Sequence, residues 1–67
     1  MHLRPVLKRG RTVEHHGRTA TVVSVEREQL WVSGRAHWTT WVLIEFVDGG
    51  RRFVRPDELE APQWSRS

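Results

Sequence analysis

The chain has 67 residues, a formal charge of +3 and no cysteine. That length allows one domain with one small core. The lack of cysteine excludes a disulfide framework, a thiolate metal site and a thiol nucleophile.

No apolar run is long enough to span a membrane. The opening MHLRPVLKRGR has no apolar stretch of signal-peptide length. These features read as a soluble cytoplasmic protein with no membrane contact. Ten arginines stand against one lysine, Lys8, a bias that a GC-rich genome explains as well as a ligand does. The distribution is more telling: Arg4, Lys8, Arg9, Arg11 and Arg18 crowd the start, whereas Asp57, Glu58 and Glu60 lie near the end. A basic end on a small domain suits phosphate backbones or acidic protein surfaces.

Residues 1–9 read as a basic leader, with Pro5 arguing against a helix. Residues 10–13 predict a short strand, and Glu14-His15-His16-Gly17 a turn closed by glycine. Residues 18–26 predict a second strand, because TATVVSVE is rich in β-branched side chains. Thr19, Thr21, Val23 and Val25 form its better core face; Ala20, Val22, Ser24 and Glu26 form the other.

Residues 27–37 are ambiguous. Leu30-Trp31-Val32 suits a short strand or an apolar plug under a loop, and Ser33-Gly34 is a turn signal. Residues 38–55, WTTWVLIEFVDGGRRFVR, predict a β-hairpin with a two-residue turn within Asp48-Gly49-Gly50. Either register of that turn puts Val42, Ile44, Phe46 and Phe53 on one face, with Arg51 and Arg55 at its ends. Trp41, Leu43, Glu45, Val47, Arg52 and Val54 then share the other, and Arg52 opposes Glu45 or Val47. Pro56-Asp57-Glu58-Leu59 starts a helical turn that tucks Leu59 back into the core. Residues 61–67 read as a frayed tail carrying Trp64.

The expected fold is all-β: a small, partly open barrel of four to five antiparallel strands over residues 10–60, closed by a short C-terminal helical turn. Two segments carry a family resemblance. One is Gly10-Arg11-Thr12-Val13 followed by Gly17-Arg18-Thr19-Ala20-Thr21-Val22-Val23-Ser24-Val25-Glu26; the other is Phe53-Val54-Arg55-Pro56-Asp57-Glu58-Leu59-Glu60. Together they resemble an SH3-like barrel of the KOW or Tudor kind. Members of that superfold bind RNA, DNA, ribosomal or polymerase partners, modified peptides and proline-rich peptides, so the resemblance selects no single function. The plasmid-borne type II dihydrofolate reductase is similar in length and barrel class. Its pore is lined by a Val-Gln-Ile-Tyr segment, and the nearest position here, Arg52-Phe53-Val54-Arg55, lacks the glutamine and the tyrosine.

Candidate chemistry is sparse. His15-His16 reads as a polar turn rather than a zinc site, because neighbouring strand residues point opposite ways. Ser24, Ser33, Thr39 and Thr40 have no visible base beside them. No enzyme activity, cofactor or metal is expected. Trp31, Trp38, Trp41 and Trp64 are the sharper signal. Trp31 is the first choice for the core or a loop plug, whereas Trp38 and Trp41 begin the hairpin and suit base stacking, a methyl-cation cage or a protein anchor.

The first expectation is therefore a non-catalytic module binding nucleic acid or a nucleoprotein assembly. Its basic-aromatic surface would comprise Arg9, Arg11, Arg18, Trp38, Trp41, Arg51 and Arg52. The second is a protein-interaction adaptor of phage or mobile-element type, or a self-associating homo-oligomer, using Trp41, Leu43, Val47 and Val54. A reductase of the dihydrofolate type, tetrameric and nicotinamide-binding, is the remote alternative.

Overall fold

A computed structural model describes residues 5–62. The element order is β1 (Thr12–His15), β2 (Arg18–Val32), β3 (Arg35–Phe46), β4 (Arg51–Val54), a 3-10 turn (Pro56–Glu58) and β5 (Leu59–Glu60). All five strands lie in one antiparallel sheet of order β4-β3-β2-β1-β5. The sheet is not closed by pairing: β4 and β5 are its two edges. Among the described residues, no helix is long and apolar enough to cross a membrane.

Three turns set the registers. His16-Gly17 joins β1 to β2 with φ of 49° and 80°. Ser33-Gly34 joins β2 to β3 with φ of 51° and 75°. Two consecutive positive φ angles define the two-residue turn whose twist matches paired strands. The predicted turn at residues 14–17 is thus shorter than expected, and Glu14 and His15 belong to β1. Gly17→Ala is expected to cost about 1–2 kcal/mol, because a Cβ in the left-handed region meets the following carbonyl. Urea midpoints would read this, and His16→Asn beside it should be neutral or stabilising, since asparagine tolerates that region.

The third turn corrects the sequence reading. The Phe46 N–H donates to the Gly50 carbonyl at 2.7 Å, and the Gly49 N–H donates to the Phe46 carbonyl at 2.9 Å. The loop is therefore three residues, Val47-Asp48-Gly49, with Gly49 at φ 93°. Asp48 further accepts the Gly50 N–H at 2.9 Å. One residue more than a two-residue turn inverts the faces of the returning strand. Val54 now opposes Val42 and is buried in the core, whereas Phe53 opposes Leu43 and is exposed. Arg51, not Arg52, opposes Glu45.

The β2 core face is also corrected. Ala20 and Val22 are buried, and Thr19 and Thr21 are exposed. A bulge between Val22 and Ser24 inserts Val23 as an extra residue, and beyond it Val25 opposes Val42. The core-facing positions change parity at the bulge, so no single alternation describes the strand.

The core comprises Val13, Ala20, Val22, Val42, Ile44, Phe46, Val54 and Leu59, with Leu7 packed against it. Leu59 does tuck back as expected, and the leader contributes a packed residue. The Gly10 N–H donates to the Val22 carbonyl at 2.8 Å, and the Val22 N–H donates to the Arg11 carbonyl at 2.9 Å, so the two residues before β1 also run alongside β2. At the other end Ala61 and Pro62 are buried, extending the packed region past residue 60. The expectations for Arg4, Trp64 and the rest of the tail lie outside the described residues.

Candidate nucleic-acid interface

The dominant feature is the length of β2 and β3. They stay paired from Ala20↔Phe46 out to Val32↔Arg35, but β1 accompanies β2 only from Arg18 to Thr21 and β4 accompanies β3 only from Val42. The distal part, residues 26–41, is a two-stranded ribbon standing clear of the core. Seven strand residues at 26–32 reach about 23 Å, in keeping with a longest dimension of 44 Å. The segment REQLWV therefore prolongs β2, and RAH begins β3.

Register sorts the ribbon into two faces. Arg27, Gln29, Trp31, Ala36, Trp38 and Thr40 share one. Trp31 is 70 % exposed and Trp38 58 % exposed, which overturns the expectation of Trp31 as a core or loop plug. The Arg27 guanidinium lies over the Trp38 ring, 4.8 Å from its centroid. That geometry is a cation–π contact and holds both groups in place at the surface. No carboxylate occurs among these six residues.

The opposite face is mixed, with Glu26, Glu28 and Trp41 near the core and Leu30, Val32, Arg35 and His37 towards the tip. Glu26 pairs with Trp41 and Glu28 with Thr39, and Phe53 joins them from β4. Glu26, Arg27, Glu28, Trp41 and Phe53 line a groove of about 470 Å³. Arg55 approaches the Trp41 ring at 5.6 Å. Arg51 is held to Glu45 Oε2 by Nη2 at 2.9 Å and Nε at 3.0 Å.

The predicted surface is thus divided. Trp38 and Trp41 are three residues apart on one strand and face opposite ways. Arg51 lies on the Trp41 side, and Arg52 shares the Ile44 side at the sheet edge and is exposed. Arg18 stacks 4.1 Å over Phe46 and reaches Asp48 at 3.5 Å. Arg9 and Arg11 are exposed near the base of the ribbon. Sequence reasoning missed Arg27 and the exposure of Trp31. The available signal was Ser33-Gly34: a two-residue turn there pairs REQLWV with RAHWTT.

A second cluster lies at the other end of the sheet. His15 is buried at 3 % exposure. Its Nε2 is 3.5 Å from Glu58 Oε1, across 43 residues of sequence. His16, turning at φ 49°, brings its ring 4.2 Å from that of His15. The rule that neighbouring strand residues diverge fails here because His16 has left strand geometry. One donor atom from each of His15, His16 and Glu58 lies within 4.8 Å of the others. The Arg55 N–H donates to Glu58 Oε2 at 2.8 Å.

The Glu58 carboxyl is lowered from its usual 4.5, chiefly by that N–H; desolvation opposes it next, and His15 and His16 each lower it further by less. A carboxyl lowered in the folded state stabilises the fold above its unfolded pKa, and loses that contribution as pH falls through the folded value. Urea midpoints are therefore expected to fall more steeply below about pH 4.5 in the wild type than in Glu58→Gln. Parallel profiles would remove Glu58 as the cause.

Compared with known proteins, the chain matches no family model, no curated protein and no solved structure.

Proposed function

We propose that this chain is a non-catalytic binding module that holds nucleic acid on the Arg27–Trp38–Trp31 face of its β2–β3 ribbon. The observation that carries this reading is a pair of exposed tryptophans on a carboxylate-free ribbon face, one with an arginine stacked on it. Exposed rings offer bases a stacking platform, and arginine adds phosphate attraction. A two-stranded ribbon also has the width of the B-DNA major groove. Arg9, Arg11 and Arg52 make no ion pair among the described residues and remain available for phosphates. The fold reading that goes with this is a small SH3-like barrel of the KOW or Tudor kind. Its support is the return of β5 to β1 after a 3-10 turn.

The test is titration with short single-stranded RNA and DNA at low salt, followed by NMR of the indole and arginine side-chain signals. Shifts at Trp31, Trp38 and Arg27 that reverse as salt is raised are expected, since binding that releases counterions weakens with salt. Unmoved indoles, or shifts indifferent to salt, would sink this reading.

A second reading has its own observation. The groove lined by Glu26, Arg27, Glu28, Trp41 and Phe53 sets two carboxylates and one arginine beside aromatic rings, and its carboxylates and rings suit a lysine or arginine side chain of a protein partner. Shifts confined to Trp41 when a lysine- or arginine-rich peptide is added would favour that adaptor role.

A further inference from the structure

We propose that His15, His16 and Glu58 form a binding site for a divalent transition-metal ion of the zinc class, which staples the β1–β2 turn to the 3-10 turn. Two imidazoles and one carboxylate, with a position left open for water, are a donor set that zinc and its neighbours accept.

The distances fit with little movement. Metal–ligand bonds of about 2.0–2.2 Å in a tetrahedron place ligand atoms roughly 3.3–3.6 Å apart. His15 Nε2 and Glu58 Oε1 already stand 3.5 Å apart. The widest separation in the trio is within 4.8 Å, so closing it requires about 1.3 Å, close to a single side-chain rotation. The residue with room to move is His16, which is exposed, whereas His15 is fixed in the packed interior and Glu58 is already oriented towards it.

The carboxylate is prepared for the role. Its Oε2 is occupied by the Arg55 N–H at 2.8 Å, which orients Oε1 towards His15. A hydrogen bond of this kind to a ligating carboxylate is the usual supporting contact of a metal site. The ion would link residues 15–16 to residue 58, closing a long stretch of chain. Cross-links of that kind restrict the unfolded ensemble, and a ligand bound only by the folded state raises the melting temperature.

The experiment uses the full chain without a polyhistidine tag. Zinc chloride is added while histidine-ring NMR signals and thermal melting are followed, and cobalt(II) absorption reports coordination by nitrogen and oxygen. Saturable shifts at His15 and His16, a raised melting temperature and cobalt d–d bands are expected. His16→Asn suits the turn and removes one imidazole; Glu58→Gln keeps the side chain's shape and removes its charge. Each should weaken zinc by about tenfold or more, because even supporting residues of metal sites are worth that much. Absence of saturable binding in the wild type overturns the proposal. So does undiminished affinity in both variants, which would assign the metal to another histidine such as His37. Because the ribbon is distant in the fold, nucleic-acid binding and zinc binding fail or succeed separately.

Discussion

Ile44→Ala should remove about 2–5 kcal/mol of stability, the range for deleting a buried aliphatic side chain without full collapse of the cavity. Ile44 has no exposed surface. Its ladder partner is Val22, and Val42 and Phe46 flank it on the same face. These neighbours sit on β3 itself and on the paired strand β2, whose ladder holds them, so the site has little freedom to close. A chain of 67 residues is held by only about 3–10 kcal/mol in all. The variant is therefore expected to be largely unfolded at 37 °C, or to lose most of its urea midpoint at 25 °C. Leu43→Ala, one residue away on the opposite face and only half-buried, should cost much less. Equal losses at the two positions would mean that the core lies elsewhere.

The double variant Trp31→Ala/Trp38→Ala should leave the fold intact and strongly weaken nucleic-acid binding. Alanine substitution of a stacking aromatic costs about 1–3 kcal/mol per base, so two rings together weaken binding by roughly 30-fold to 10,000-fold or more. Both side chains are exposed and stand beyond the packed region, and surface changes of that kind usually move stability by about 0.5 kcal/mol or less. Fluorescence anisotropy with a labelled single strand and a parallel thermal melt would read the two quantities. Arg27→Ala should act differently. If Arg27 contacts one phosphate, its removal lowers the slope of log affinity against log salt by about 0.7 for a single strand. Phe53→Ala, on the opposite face, serves as the control and should leave binding unchanged. A wild-type affinity retained by the tryptophan double variant would end the ribbon hypothesis and favour the groove at Trp41.

The sequence carried the local features well. TATVVSVE and WVLIEF announce strands through β-branched and aromatic content, and Pro56 with Leu59 marks the final turn and its return to the core. Ser33-Gly34 marked a hairpin turn, but the residues around it did not show whether their apolar groups were covered. Nothing in Leu30-Trp31-Val32 distinguishes a buried plug from an exposed ribbon, because exposure depends on how far β1 and β4 extend alongside. The pairing of Trp38 with Arg27 was unreadable for the same reason: it requires the register of two strands, not the composition of either.

Composition, alternation and turn residues therefore determined by themselves that this is an all-β chain with basic and aromatic groups to spare. Tertiary structure alone decided which faces those groups occupy. A three-residue loop at Val47-Asp48-Gly49 in place of a two-residue turn moved Phe53 outward and Val54 inward. One extra residue at Val23 reversed the core parity of β2. Strand side chains have a period of two, so a single added residue inverts everything beyond it. His15 met Glu58 only because β5 returned to pair with β1, a long-range contact to which local sequence is blind.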